Sequence, residues 1–273
     1  MKDSKDKSAQ TFIQLLEIVE KLHGPQGCPW DQEQNHKSLR PYVIEEAYEV
    51  VHAIDTENME HLKEELGDLL LQVLFHSILA RKENKFDLAD VMEGIAKKLI
   101  HRHPHVFSNV PVKDSAEVIK NWEQIKNEEK KPRSHSSLLS EIPFSFPALL
   151  KAYKLGKKAS QVGFDWPELK GVFEKIKEEI KELEISIESK NEKAVREEMG
   201  DLLFSLANLS RFLKVNPEEA LRQTNEKFIQ RFQFIEVALQ KDNKSFKDAT
   251  LEQLNSLWNE AKKKEIKNLS PSQ

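Results

Sequence analysis

A chain of 273 residues has room for two domains and for a buried core that needs no covalent staple. Its single cysteine, Cys28, excludes an internal disulfide and fits a reducing cytosol; a net charge of −4, from 42 basic and 46 acidic residues, excludes a general attraction to nucleic acid or anionic membrane. No apolar run reaches the roughly 18 residues of a membrane-spanning helix, and residues 1–9 lack the apolar stretch of a signal peptide, so a cytoplasmic protein is expected.

Taken in chain order, residues 1–10 are Lys-, Asp- and Ser-rich and are expected to be a disordered extension. Phe12, Leu15, Leu16, Val19 and Leu22 then form a helical stripe. A loop over 23–31 is marked by Gly24-Pro25, Gly27 and Pro29. Helices are expected over 41–54, 59–81, 88–100 and 118–130, with His101, His103 and His105 in a structured turn around Pro104. Residues 131–146, with Pro132, a Ser-rich stretch and Pro143, read as a linker between domains over 11–130 and 147–267. The second domain is expected to form helices near 147–161, 170–189, 191–213, 217–240 and 251–267, followed by a tail over 268–273. Period-2 stretches are few, so the fold class is all-α.

The two halves repeat each other. Glu45-Glu46-Ala47-Tyr48-Glu49 and Glu64-Glu65-Leu66-Gly67-Asp68 recur as Glu178-Glu179-Ile180-Lys181-Glu182 and Glu197-Glu198-Met199-Gly200-Asp201, both at an offset of 133. Trp30 answers to Trp166, Lys98 and Arg102 to Lys227 and Arg231, and Trp122 to Trp258. This is a tandem duplication of one helical unit.

The acidic pairs carry the chemistry. On a helix of 100° per residue, with Glu46 at zero, Glu49 lies at about −60°, and Val43, Val50 and Ile54 at about +40° to +80°. Glu65 and Asp68 stand in the same relation to Leu62, Leu69 and Val73. Both pairs therefore sit at the edge of a buried stripe, and two antiparallel helices packed there bring four carboxylates together. Their repulsion needs a cation to offset it. Oxygen ligands without His or Cys favour Mg2+, with Mn2+ as a substitute, over zinc. Lys227 and Arg231, four apart on one helix side, suit a triphosphate, and Lys175 is a further candidate one turn before Glu179. Trp258 is either a nucleobase platform or a core anchor.

With Gly27-Cys28-Pro29-Trp30-Asp31, Arg102-His103-Pro104-His105-Val106-Phe107, Gly163-Phe164-Asp165-Trp166 and Asn225-Glu226-Lys227-Phe228 beside the acidic motifs, the chain resembles the MazG family of nucleoside triphosphate pyrophosphohydrolases, in the all-α NTP pyrophosphatase superfamily, from about residue 11 to 267. The resemblance implies a dimer of tandem four-helix-type domains that hydrolyses (d)NTPs of broad range between the α and β phosphates, with the C-terminal copy as the main catalytic one. It implies Mg2+ on Glu179, Glu182, Glu198 and Asp201, phosphate contacts from Lys227 and Arg231, and a nucleotide contact from Trp258. Glu178 or Glu179 is the candidate general base. The first copy keeps Glu46, Glu49, Glu65, Asp68, Lys98 and Arg102, a possible second site. A dimer also follows from halves too thin to cover their own apolar stripes. The rival readings are a regulatory nucleotide binder and a helical scaffold without turnover; a di-iron bundle would add Glu-x-x-His, which neither cluster contains.

Overall fold

The computed structural model describes residues 2–129 and 137–269, and every regular element among them is helical. The chain divides into two compact units, 1–132 and 133–273. The first holds α1 (Lys2–Leu22), a short α2 (Pro29–Glu33), α3 (His36–Asp55), α4 (Met59–Lys82), α5 (Leu88–Arg102), a single turn α6 (Pro104–Phe107) and α7 (Ser115–Glu128). The second holds a 3-10 turn (Leu138–Glu141), α8 (Ala148–Ser160), α9 (Leu169–Glu188), α10 (Glu192–Phe212), α11 (Pro217–Lys241), a 3-10 turn (Phe246–Asp248) and α12 (Leu251–Leu269).

The hairpins α3–α4 and α9–α10 are the most extensively packed helix pairs of their units. Their turns show the duplication in the backbone as well as in the side chains. Glu57 and Lys190 both adopt a positive φ, 52° and 53°. Asn58 and Asn191 follow and cap α4 and α10 by accepting from His61 N and Ala194 N. All of these pairs are 133 residues apart. The Asn caps satisfy backbone donors that would otherwise be orphaned at the helix start. Asn35 caps α3 in a reciprocal box with Ser38.

In the first unit Val19, Leu39, Leu74, Phe75, Ile78 and Leu79 form the core, with Phe12, Leu15, Leu16, Leu71 and Leu88 packed around it. Among the described residues of the second, the buried apolar ones are Val172, Ile176, Ala207, Ile235, Leu239 and Ala261, with smaller side chains than the first unit's core.

Several expectations need correction. Residues 2–10 are not a disordered extension: α1 runs back to Lys2. The stretch has no Gly or Pro, and once Phe12–Leu22 nucleates a helix each added residue costs only propagation. The loop after α1 contains α2, because Pro29 takes the first-turn position where a missing N–H costs nothing. Helix α3 starts at His36, ahead of Pro41, since the Asn35 cap outweighs one missing bond inside the helix. Within the expected linker over 131–146, Leu138–Glu141 form a turn, and 131–136 lie outside the described residues. Of the expected tail, Asn268-Leu269 continue α12, and 270–273 lie outside the described residues.

Candidate functional site

Helices α9 and α10 bring Glu179, Glu182 and Glu198 together so that one oxygen of each lies within 4.8 Å of the others; α3 and α4 do the same with Glu46, Glu49 and Glu65. The buried member differs. In the second unit it is Glu179, on the first helix of the hairpin, at 3% exposure; in the first it is Glu65, on the second helix, at 6%. Both lie deeper than the stripe edge suggests.

A buried carboxylate needs a partner. Glu179 has Lys175 Nζ at 2.7 Å, and the same ammonium lies 2.8 Å from Glu178. These two bonds hold the Lys175 ammonium well above its ordinary pKa. Glu65 has His61 Nε2 at 2.7 Å, with the His52 ring edge-on to His61. Lys175 thus stands against the carboxylates themselves, and the i,i+3/i,i+4 spacing to Glu178 and Glu179 already contains that pairing. His61 was not anticipated; its i,i+4 spacing to Glu65 was the available signal.

The clusters also perturb their own titration. Burial, then the charges of Glu182, Asp201 and Glu179, push Glu198 above the usual carboxylate range. Glu46 is pushed up by burial and then by Asp68, Glu49 and Glu65. Glu65 is pushed up by burial and by Glu49, against the opposing charge of His61. Asp201 and Asp68 therefore stand beside the sets without joining the group of mutually close oxygens. An all-oxygen set that holds like charges this closely fits a hard dication such as Mg2+.

The other cationic candidates of the second unit, Lys227 and Arg231, lie on α11. Arg231 lies over the Trp258 ring, 5.3 Å from its centroid, with Phe228 at 5.2 Å from the same ring. Trp258 is thus half-buried and in contact with α11, as a core anchor would be. Lys227 is exposed on α11, and among the described residues it makes no ion pair with the carboxylates. In the first unit Arg102 lies over Trp122 at 5.4 Å, and its guanidinium grips Glu129 with Nε at 3.1 Å and Nη2 at 2.5 Å from Oε2. That bond holds Glu129 below the ordinary carboxylate range. Lys98 is exposed.

These features define an all-α protein with an acidic centre in each of two repeats. A family model described as MazG nucleotide pyrophosphohydrolase domain matches residues 34–107 and again 169–234, which are the stretches that build the two centres. The chain is 48% identical over 251 residues to the nucleoside triphosphate pyrophosphohydrolase/pyrophosphatase MazG of Thermotoga maritima, covering 92% of this chain and 95% of that protein. It is 42% identical over 255 residues to the nucleoside triphosphate pyrophosphohydrolase of Escherichia coli K12, covering 92% and 97%. It is 48% identical to the uncharacterized protein YabN of Bacillus subtilis, covering 93% of this chain and 52% of that protein. The chain belongs to the MazG family.

Proposed function

We propose that the chain is a nucleoside triphosphate pyrophosphohydrolase that cleaves (d)NTPs of broad range between the α and β phosphates, with its working site in the second unit. The observation that carries this reading is the convergence of Glu179, Glu182 and Glu198 within 4.8 Å, with Asp201 alongside and Glu179 buried. The names of the T. maritima and E. coli relatives support it.

Glu179, Glu182, Glu198 and Asp201 would hold Mg2+, with Mn2+ as a substitute. When bound, the ion neutralises phosphate oxygens and lowers the pKa of a coordinated water. An oxygen of Glu178 or Glu179 would accept the proton of an attacking water, and the α–β bridging bond would break toward pyrophosphate. Lys175 fixes both carboxylates in place through its two short contacts. Lys227 and Arg231 stabilise charge on the departing pyrophosphate, and Trp258 contacts the nucleotide. Glu46, Glu49, Glu65, Asp68, Lys98 and Arg102 form the corresponding set in the first unit, where Glu129 already occupies the Arg102 fork.

The assembly we propose is a homodimer. Helix α5 exposes Val91, Met92, Ile95, Leu99 and Ile100, an apolar face that a single unit leaves in water. Sedimentation showing only monomer at micromolar concentration would remove this part. Among the described residues no helix is long and apolar enough to cross a membrane.

Incubation with a panel of NTPs and Mg2+ tests the activity. Pyrophosphate and the monophosphate are expected in equal amounts; orthophosphate as the product, or no product, would overturn the reading.

A further inference from the structure

We propose that the base of the nucleotide enters the cavity beside Trp166 in the second unit and that the Asn208 side-chain amide donates a hydrogen bond to it. This rests on the activity proposed above and adds where the base goes and what reads it.

The cavity has a volume of about 590 Å3, within the ordinary range for small-molecule sites. Leu155, Trp166 and Phe204 give it apolar walls, and Asn208 and Arg211 are its polar groups on α10. That helix also carries Glu198 and Asp201. Phe204 and Asn208 lie three and seven residues beyond Asp201, within about 60° of it around the helix and about 5 and 10 Å along the axis. A triphosphate held at the acidic centre would therefore point its sugar and base along α10 toward the cavity.

Asn208 is only 4% exposed and its orientation is set. Its Oδ1 accepts from Arg211 Nε at 2.7 Å, which leaves the NH2 end as the free donor. Arg211 is held in turn by Asp165, with Nη1 2.9 Å from Oδ2. Among the described residues the Asn208 Nδ2 group donates to no acceptor. Asn208 lines the apolar cavity, and a nearly buried amide with unused N–H groups gains by meeting an acceptor there. Every nucleobase carries a ring nitrogen or carbonyl acceptor, so a single donor of this kind favours a base without choosing one.

The first unit supplies an internal control. At the same offset of 133, Leu71 stands for Phe204, Phe75 for Asn208 and Ile78 for Arg211. Phe75 and Ile78 are buried in the core, and Phe75 packs edge-on against His23 at 4.8 Å. Two glycines adapt the second unit to the opposite purpose. A Cβ on Gly156 would lie 2.7 Å from Asn208 Oδ1, and one on Gly171 2.7 Å from Trp166 Cδ1. Ser38 occupies the position of Gly171 in the first unit, where Trp30 stands 48% exposed. Both units keep the carboxylates; at these positions the second has the Asn208 amide and the closely seated Trp166, the first Phe75 and the exposed Trp30.

Calorimetric titration of the full chain with an NTP and with inorganic tripolyphosphate, each with Mg2+, separates cavity from acidic centre. The unmodified protein is expected to bind the NTP about 10-fold or more tightly than tripolyphosphate. Asn208→Asp keeps the acceptor for Arg211 and removes the donors; Asn208→Phe installs the first unit's residue. Each is expected to lower NTP affinity about 10-fold and leave tripolyphosphate within about twofold. Unchanged NTP affinity in Asn208→Asp, the variant closest in shape, would overturn the proposal, as would equal losses for both ligands. A chain that binds tripolyphosphate without preferring the NTP sinks the cavity alone. One that binds neither sinks the activity and the cavity together.

Discussion

The two units share a hairpin down to the φ angle of its turn, yet they spend their buried volume differently. Where the first places Leu74, Phe75 and Ile78, the second places Ala207, Asn208 and Arg211. The first turns those positions into core; the second buries Ala207 and lines a cavity with Asn208 and Arg211. Their acidic centres also differ in what steadies the buried carboxylate. The Lys175 ammonium serves Glu179, and the His61 imidazole serves Glu65. Duplication here preserved backbone geometry and left the side chains free to divide packing from chemistry.

The comparison breaks most visibly at the carboxylates. Glu179→Gln and Asp201→Asn are expected to lower turnover about 100-fold or more with little change in thermal unfolding. Glu46→Gln is expected to keep turnover within about twofold. A comparable loss from Glu46→Gln in the pyrophosphate-release assay would make the two centres equivalent. The next effect is on stability. Leu74→Ala puts the second unit's residue into the first unit's core and is expected to cost about 3 kcal/mol in urea unfolding. A cost under about 1 kcal/mol would mean that the first unit does not depend on this core.

The pH dependence sharpens the contrast further. Glu198, Glu46 and Glu65 all have folded-state pKa values raised above the ordinary value. Such groups take up protons more readily in the folded than in the unfolded chain, so the stability they contribute is present at low pH and lost as pH rises through the raised values. Without metal, mild acidification therefore relieves repulsion in both centres. The same protons compete with Mg2+, so calorimetry is expected to show weaker Mg2+ binding at pH 5.5 than at pH 7.5. In the first unit His23 and His76 act the other way. Their folded-state values are lowered, mainly by burial, and the stability they contribute is lost as pH falls through their titration. Equal Mg2+ affinity at both pH values would mean that proton uptake by these carboxylates does not compete with the ion in this range. The smallest effect is at the caps: Asn58→Ala and Asn191→Ala are each expected to cost about 1 kcal/mol, equally in the two units, by thermal unfolding.

The acidic centres were legible because they need only helical spacing and repetition: Glu-Glu-x-x-Glu and Glu-x-x-Asp, twice, at one offset. The helix pattern was legible for the same reason. Other features depend on information that spacing does not carry. Pro29 and Pro41 read as turn and boundary signals, but a proline near a helix start is compatible with the helix continuing. The pairing of Arg102 with Glu129 joins residues 27 apart, and neither looks unusual locally. Asn208 looked like an ordinary polar residue on an amphipathic helix; only packing against Gly156 and Arg211 gives it a direction.

The turn through Glu57-Asn58 and Lys190-Asn191 has a further consequence, for phase. Each added residue rotates the following helix by about 100° and shifts it about 1.5 Å. One insertion there would swing Glu65 or Glu198 away from the opposing helix while leaving both helices intact as helices. Loop length, usually the most forgiving dimension of a helical protein, is in these hairpins the angular setting that decides whether an acidic centre exists at all.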